Sequence, residues 1–228
     1  MITYRDLAKL VEDNRNSFTA DQSSDILKWS EGLGDNVIYH TTRHRFDDLR
    51  PANQDEDSDQ APLQDEHLSH FSESPIFGAD FIGPDGGYIH AYRIPEKKFF
   101  HLSEDLGTWS TLDLLYHIAH KGYGFSREVK EELMRIKNTI RDQNLAYEDR
   151  SSLSDEQFDL SEKIQEYVEG LFISSGYQGF SYTNTYEGGA SGADSLLSYA
   201  VFNRFLHRLD HVSVMKIEGG STHQPNEA

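Results

Sequence analysis

The order of elements legible in the sequence predicts an α+β protein with segregated layers. Helical periodicity opens the chain, short strand-like runs follow, a helical middle interrupts them, and strands return. Three observations carry this reading. β-branched and aromatic runs are bounded by Gly, Pro and Asp clusters; long stretches between about 103 and 174 repeat apolar residues at offsets of three and four; and no strand–helix alternation recurs as in a doubly wound sheet. At 228 residues, with 36% hydrophobic and 12% aromatic residues, the chain is long enough for one good core. It reads as a single domain over 1–218 with a flexible tail at 219–228.

From the N-terminus, Leu7, Leu10 and Val11 space the inner face of a short helix from Tyr4 to Asn14. Ser23 to Leu33 predicts a second, with Ile26, Leu27 and Trp29 apolar and Gly32 and Gly34 ending it, so residues 1–35 form an N-terminal helical part. A Gly-Asp-Asn turn signal then introduces a strand from Asn36 to Thr41. Residues 51–70 read as an acidic loop, holding Asp55, Glu56, Asp57, Asp59, Asp65 and Glu66 without a base between Gln54 and Glu66. Short strands are expected over Ile76–Ile82, Tyr88–Ile94 (closed by Pro95) and Lys98–Leu102, with turn chemistry at Gly83–Gly87. The helical region, 103–175, holds helices over Leu112–Ala119, Arg127–Asn144 and Asp155–Ser174. Val129, Leu133, Ile136 and Ile140 line one face of the second, and Ser154 with Gln157 makes a capping-box match for the third. Strands return over Gly179–Asn184, Ser198–Phe202 and Val212–Ile217, with a glycine-rich loop at 188–192.

Composition excludes several functions. The chain has no cysteine, which removes disulfides, thiolate metal sites and cysteine nucleophiles. The net charge of -18 and the absence of a basic cluster longer than Lys97-Lys98 oppose nucleic acid as a partner. No apolar run is long enough to span a membrane, and no basic flank with an apolar stretch opens the chain, so a soluble protein is expected. Neither a P-loop nor a dinucleotide glycine pattern occurs.

Three segments in succession stand out: Tyr39-His-Thr-Thr42 at a strand end, Phe77-Gly-Ala-Asp-Phe81, and Gly176-Tyr-Gln-Gly-Phe-Ser-Tyr-Thr-Asn-Thr-Tyr-Glu187 followed by Ser198-Tyr-Ala-Val-Phe-Asn203. In this order they resemble the ADP-ribosyltransferase fold. The likeness is to the branch of diphtheria toxin and the poly(ADP-ribose) polymerases, and to compact phage-encoded and anti-CRISPR transferases. The resemblance implies two small packed antiparallel sheets with flanking and inserted helices, and NAD as substrate in the cleft between them. It implies that His40 holds a ribose hydroxyl of NAD, that the Thr41 main chain pairs with the nicotinamide amide, and that Thr42 lies near the adenosine ribose. Phe77, Phe81 and Tyr88 are the aromatics able to stack on the nicotinamide ring. Arg43 and Arg45 are placed to meet the pyrophosphate, as is Arg93. In the family a carboxylate steadies the positive charge that develops as nicotinamide leaves. Glu187 is the first candidate and Asp194 the second, because the position used by the polymerase branch, just before the Tyr of the late strand, holds Ser198 here. The implied activity is mono-ADP-ribosylation of a protein target by an effector, toxin or phage counter-defence factor, acting in the cytoplasm or delivered into a host cell. A target with a basic surface suits the net charge.

Two other readings stay open on the residues alone. His67 and His70, and separately His117 and His120, stand at i, i+3, the spacing of two metal ligands on one helix face, which is compatible with a His/carboxylate metal hydrolase. The acidity also suits a non-enzymatic interaction or inhibitor protein on a degenerate transferase fold.

Overall fold

The computed structural model describes residues 16–45, 68–82, 85–94, 98–102, 125–143, 145, 154–184, 196–219 and 222–223. Within them the chain is α+β, and its centre is a mixed seven-stranded sheet. In chain order the elements are β1 (Asn16–Ser17), α1 (Ala20–Glu31), β2 (Val37–Thr42), β3 (Leu68–Ser72), β4 (Gly86–Arg93), β5 (Phe99–Leu102), α2 (Arg127–Asp142), α3 (Asp155–Ser174), β6 (Gly179–Asn184), β7 (Leu196–Phe202), β8 (Asp210–Glu218) and β9 (Thr222–His223). The sheet order is β5-β6-β7-β3-β2-β4-β8. All neighbours are antiparallel except β5 and β6. A parallel pair cannot be closed by a hairpin, so the stretch carrying α2 and α3 is the crossover that this one pair requires.

Capping fixes the helices. Thr19 and Gln22 form a capping box at α1, Ser126 caps α2, and Ser154 with Gln157 forms the capping box expected from the sequence at α3. All three helices bury their apolar stripes against one face of the sheet. Leu133, Ile136 and Ile140 of α2 and Ile164, Val168 and Phe172 of α3 join Phe100, Phe180, Ala200 and Phe202 in one core. Phe172 is the hub, with ring centroids 4.8 Å from both Phe125 and Phe180. Ile26 of α1 packs with Val37, Tyr39, Ile89, Ala91 and Ile217 on the same side. The opposite face carries a thinner cluster of Ile38, Phe71, Tyr92, Ile94, Tyr199, Val201 and Leu206.

Several expectations are corrected. In place of two packed sheets the described residues form one seven-stranded sheet with a weak joint, beside the small β1–β9 pair: β2 and β3 pair at a single register position, Tyr39 opposite Ser72, whereas β2 pairs with β4 over six. The run Ile76–Ile82 is no strand. It is a turn closing into a 3-10 turn at Ala79–Phe81, because Gly78 packs its backbone onto Thr41, where an added Cβ would stand 2.2 Å from the Thr41 Oγ1. Leu68–His70, read as the end of the acidic loop, belongs to β3, and Asn203–Arg208 forms an unforeseen 3-10 segment. The supposed flexible tail contributes β9, which pairs with β1. The helices expected over Tyr4–Asn14 and Leu112–Ala119, and the six loop acids, lie outside the described residues. Among the described residues no helix is long and apolar enough to cross a membrane.

Candidate functional site at the seam of the sheet

Backbone pairing parity decides where the polar groups point. The Ile94 N–H donates to the Asn36 carbonyl, so on β2 the even-numbered residues exchange hydrogen bonds with β4 and the odd ones turn their peptide groups toward β3. On β3 the Glu73 N–H donates to the Leu197 carbonyl, so Leu68, His70 and Ser72 turn theirs toward β2. A ladder continued past Tyr39 and Ser72 would therefore join Thr41 to His70. That pair does not form. The His40 ring reaches across instead, with Nδ1 2.9 Å from the His70 carbonyl oxygen. A carbonyl only accepts, so Nδ1 carries the proton and Nε2 of the neutral ring is the acceptor nitrogen. The ring is further seated against Phe71, with centroids 5.6 Å apart.

Side-chain alternation puts Ile38, His40 and Thr42 on the face away from the helices, with Tyr88, His90 and Tyr92 of β4 beside them. His40 is half-buried, and burial lowers its pKa against the opposing effect of the His70 carbonyl. His70 is pushed down to about 4 by burial and then by the neighbouring His40. His90, fully buried, is likewise lowered to about 4, chiefly by burial. At neutral pH His40 and His90 present uncharged imidazole on this face, suited to exchanging hydrogen bonds with hydroxyl or amide groups, whereas the His70 side chain lies on the helix-bearing face with Tyr39 and Leu68.

The residues singled out from the sequence fall into distinct places. His40, Thr42 and Tyr88 share one face, with Thr42 opposite Tyr88 and its Oγ1 accepting from the His44 N–H at 3.3 Å. Thr41 presents its peptide groups to the seam and its side chain to Gly78 on the helix-bearing face. Phe77, buried, and Phe81, 47% exposed, ride on that same turn, across the sheet from Tyr88, so the three aromatics do not converge. Arg43 and Arg45 are exposed just beyond the strand. Arg93 donates to the Leu33 carbonyl at 3.1 Å and so holds the α1 terminus rather than facing the seam. Ser198 is buried on β7, opposite Ser72 and Tyr182. Glu187 and Asp194 lie outside the described residues, between the ends of β6 and β7.

Of the histidines at i, i+3 only His70 is described: it lies on β3, with its Nδ1 3.3 Å from the Tyr182 hydroxyl, while His67, His117 and His120 are outside the described residues. Sequence reasoning missed the contacts of His90 with His211 and of His101 with Ser181. The alternation Tyr88-x-His90-x-Tyr92 was a usable signal for the first; nothing local marks the second. No family model, curated protein or solved structure matches the chain.

Proposed function

We propose that the chain is a mono-ADP-ribosyltransferase that takes NAD as substrate, releases nicotinamide and transfers ADP-ribose to a side chain of a protein target. The observation that supports this reading best is the opened seam. His40 displaces the backbone pair between Thr41 and His70, which leaves the Thr41 peptide groups directed at a gap between strands. A planar carboxamide needs one donor and one acceptor side by side, and a main-chain N–H and C=O at a strand edge supply both. The His40 Nε2, kept neutral by burial, accepts from a ribose hydroxyl. In the reaction the bond from the ribose anomeric carbon to the pyridine nitrogen breaks, and nicotinamide leaves with the electron pair. The target nucleophile then bonds to that carbon and gives up its proton. A carboxylate from the 185–195 stretch, Glu187 before Asp194, lowers the barrier by facing the oxocarbenium charge. The net charge of -18 favours a target with a basic surface.

One observation favours a second reading, a transferase-like scaffold that binds without catalysis: Ser198, at the position of the polymerase-branch acid, is buried and brings no charge. Labelled NAD and a lysate separate the two. His40→Asn keeps a donor where Nδ1 stands and removes the Nε2 acceptor, so it tests chemistry without opening the fold. Label on a discrete protein band with wild type, lost with His40→Asn and Glu187→Ala at unchanged thermal midpoints, is the expected result. No labelling, together with no NAD binding by calorimetry, would overturn the transferase reading; NAD binding without labelling would favour the scaffold.

A further inference from the structure

We propose that His90 and His211 form a two-imidazole site for a divalent transition-metal ion, with zinc the best match and water completing the coordination shell. His90 Nδ1 and His211 Nε2 face one another at 3.3 Å. Two nitrogens each about 2.0–2.1 Å from a tetrahedral zinc stand about 3.3–3.4 Å apart, so the pair already has the bite of a zinc chelate. Its supporting contacts also suit a metal. His90 Nε2 lies 3.4 Å from the His44 carbonyl, which fixes the proton on Nε2 and leaves the Nδ1 lone pair directed at His211, the tautomer and backbone partner that histidine ligands generally have. Tyr92 stacks on His90, with an interplanar angle of 18°, and lies 5.0 Å from the His211 ring, so both imidazoles are held against one aromatic wall.

The backbone provides an independent argument. β4 and β8 run in steady register from Gly86 opposite Glu218 to Ala91 opposite Ser213, and then slip so that Tyr92 faces His211. Without the slip Val212 would face Tyr92, and His211 would project from the other side of the sheet. The bulge therefore turns His211 onto the face of His90, a local irregularity of the kind that re-aims a side chain. His90 is fully buried while His211 is exposed, so the site opens to solvent on the His211 side. Among the described residues no third His, Asp or Glu joins the pair. With no cysteine in the chain, thiolate binding cannot compete.

The test is a Zn2+ titration of the full chain by calorimetry, with imidazole nitrogen resonances followed in parallel. Wild type is expected to bind one equivalent at this site and to shift the His90 Nδ1 and His211 Nε2 signals together. His211→Ala, with its thermal midpoint measured alongside, is expected to abolish this binding, since it removes one of the two nitrogen ligands, whereas His207→Ala, at an exposed histidine outside the pair, leaves it unaltered. Absence of zinc binding by wild type, equal affinity in His211→Ala, or binding that leaves the His90 signal unmoved would each overturn the assignment.

Discussion

Replacing His40 tests whether its side chain holds the seam open. The ring donates one 2.9 Å bond to the His70 carbonyl in place of the Thr41 N–H that a regular ladder would supply. Removing a donor from a buried carbonyl costs about 1–3 kcal/mol, so His40→Leu, which keeps apolar bulk near Phe71 and loses the donor, is expected to fall in that range. His40→Asn keeps an N–H close to where Nδ1 stands and is expected to recover most of the loss. Urea unfolding of wild type and both variants measures the difference. Amide exchange at Thr41 and His70 reports how the strands respond. If β2 and β3 zip together in His40→Leu, both amides become protected, and the new backbone bonds offset the lost one. If they do not, protection stays as in wild type and the full cost appears. His40→Leu as stable as wild type with unchanged exchange would refute the idea that the imidazole holds the seam open by taking the place of the Thr41–His70 backbone pair.

Two further outcomes follow from the core and the titrating groups. Gly179→Ala is expected to cost about 3 kcal/mol or more, because a Cβ there would lie 2.0 Å from the Ala200 carbonyl oxygen, a backbone atom that cannot step aside; a thermal midpoint within two or three degrees of wild type would contradict it. His70 has its pKa lowered to about 4, so the unfolded chain takes up its proton first as pH falls below about 6.5. The stability held by the neutral ring is complete above that pH and is lost on the way down to 4, amounting to about 2 kcal/mol between pH 7 and pH 5. His70→Gln is expected to flatten this part of the pH–stability curve, and an unchanged slope would count against the shift.

Legibility in the sequence followed the range of the forces involved. The Asp155–Ser174 helix agrees with its sequence-based bounds because its cap, Ser154 with Gln157, and its stripe of Ile164, Val168 and Phe172 are local. The Gly179–Asn184 strand is equally local in character, and Gly179 also shows why glycine opens it: the neighbouring strand leaves no room for a side chain. The turn at 76–82 failed for the converse reason. Its composition reads as a strand, and only the long-range fit of Gly78 over Thr41 makes it a turn. Leu68–Ser72 failed because its polar and charged surroundings hide alternation within five residues, and its partner, Phe202 to Ser198, is distant in sequence. His40 was legible as a strand-end histidine. Its bridging role was not, since that depends on the pairing parity of four strands, and His211 needed the β4–β8 bulge to acquire its direction.

Sheet geometry turns the choice of carboxylate into a measurable question. Ser198 is level with Ser72 and Tyr39, hence two residues along and two strands across from Thr41, about 7 Å and about 10 Å away in those directions. Asn184 and Leu196, from which the 185–195 stretch departs, are two residues further off, and Asn184 is one more strand across. Three residues of extended chain reach only about 10 Å, so on the proposed reading Glu187 meets the ribose only when this stretch folds back over the sheet toward Thr41. A serine at 198 does not hinder it. Hydrolysis of NAD in the absence of target is the cleanest assay: Glu187→Gln is expected to lower it by about a hundredfold, the scale of losing one electrostatic stabiliser, with Asp194→Asn and Ser198→Ala close to wild type. Loss with Asp194→Asn and not with Glu187→Gln would move the role to the shorter reach from β7. Equal activity in all three variants would mean that no carboxylate from this hairpin acts on the glycosidic bond.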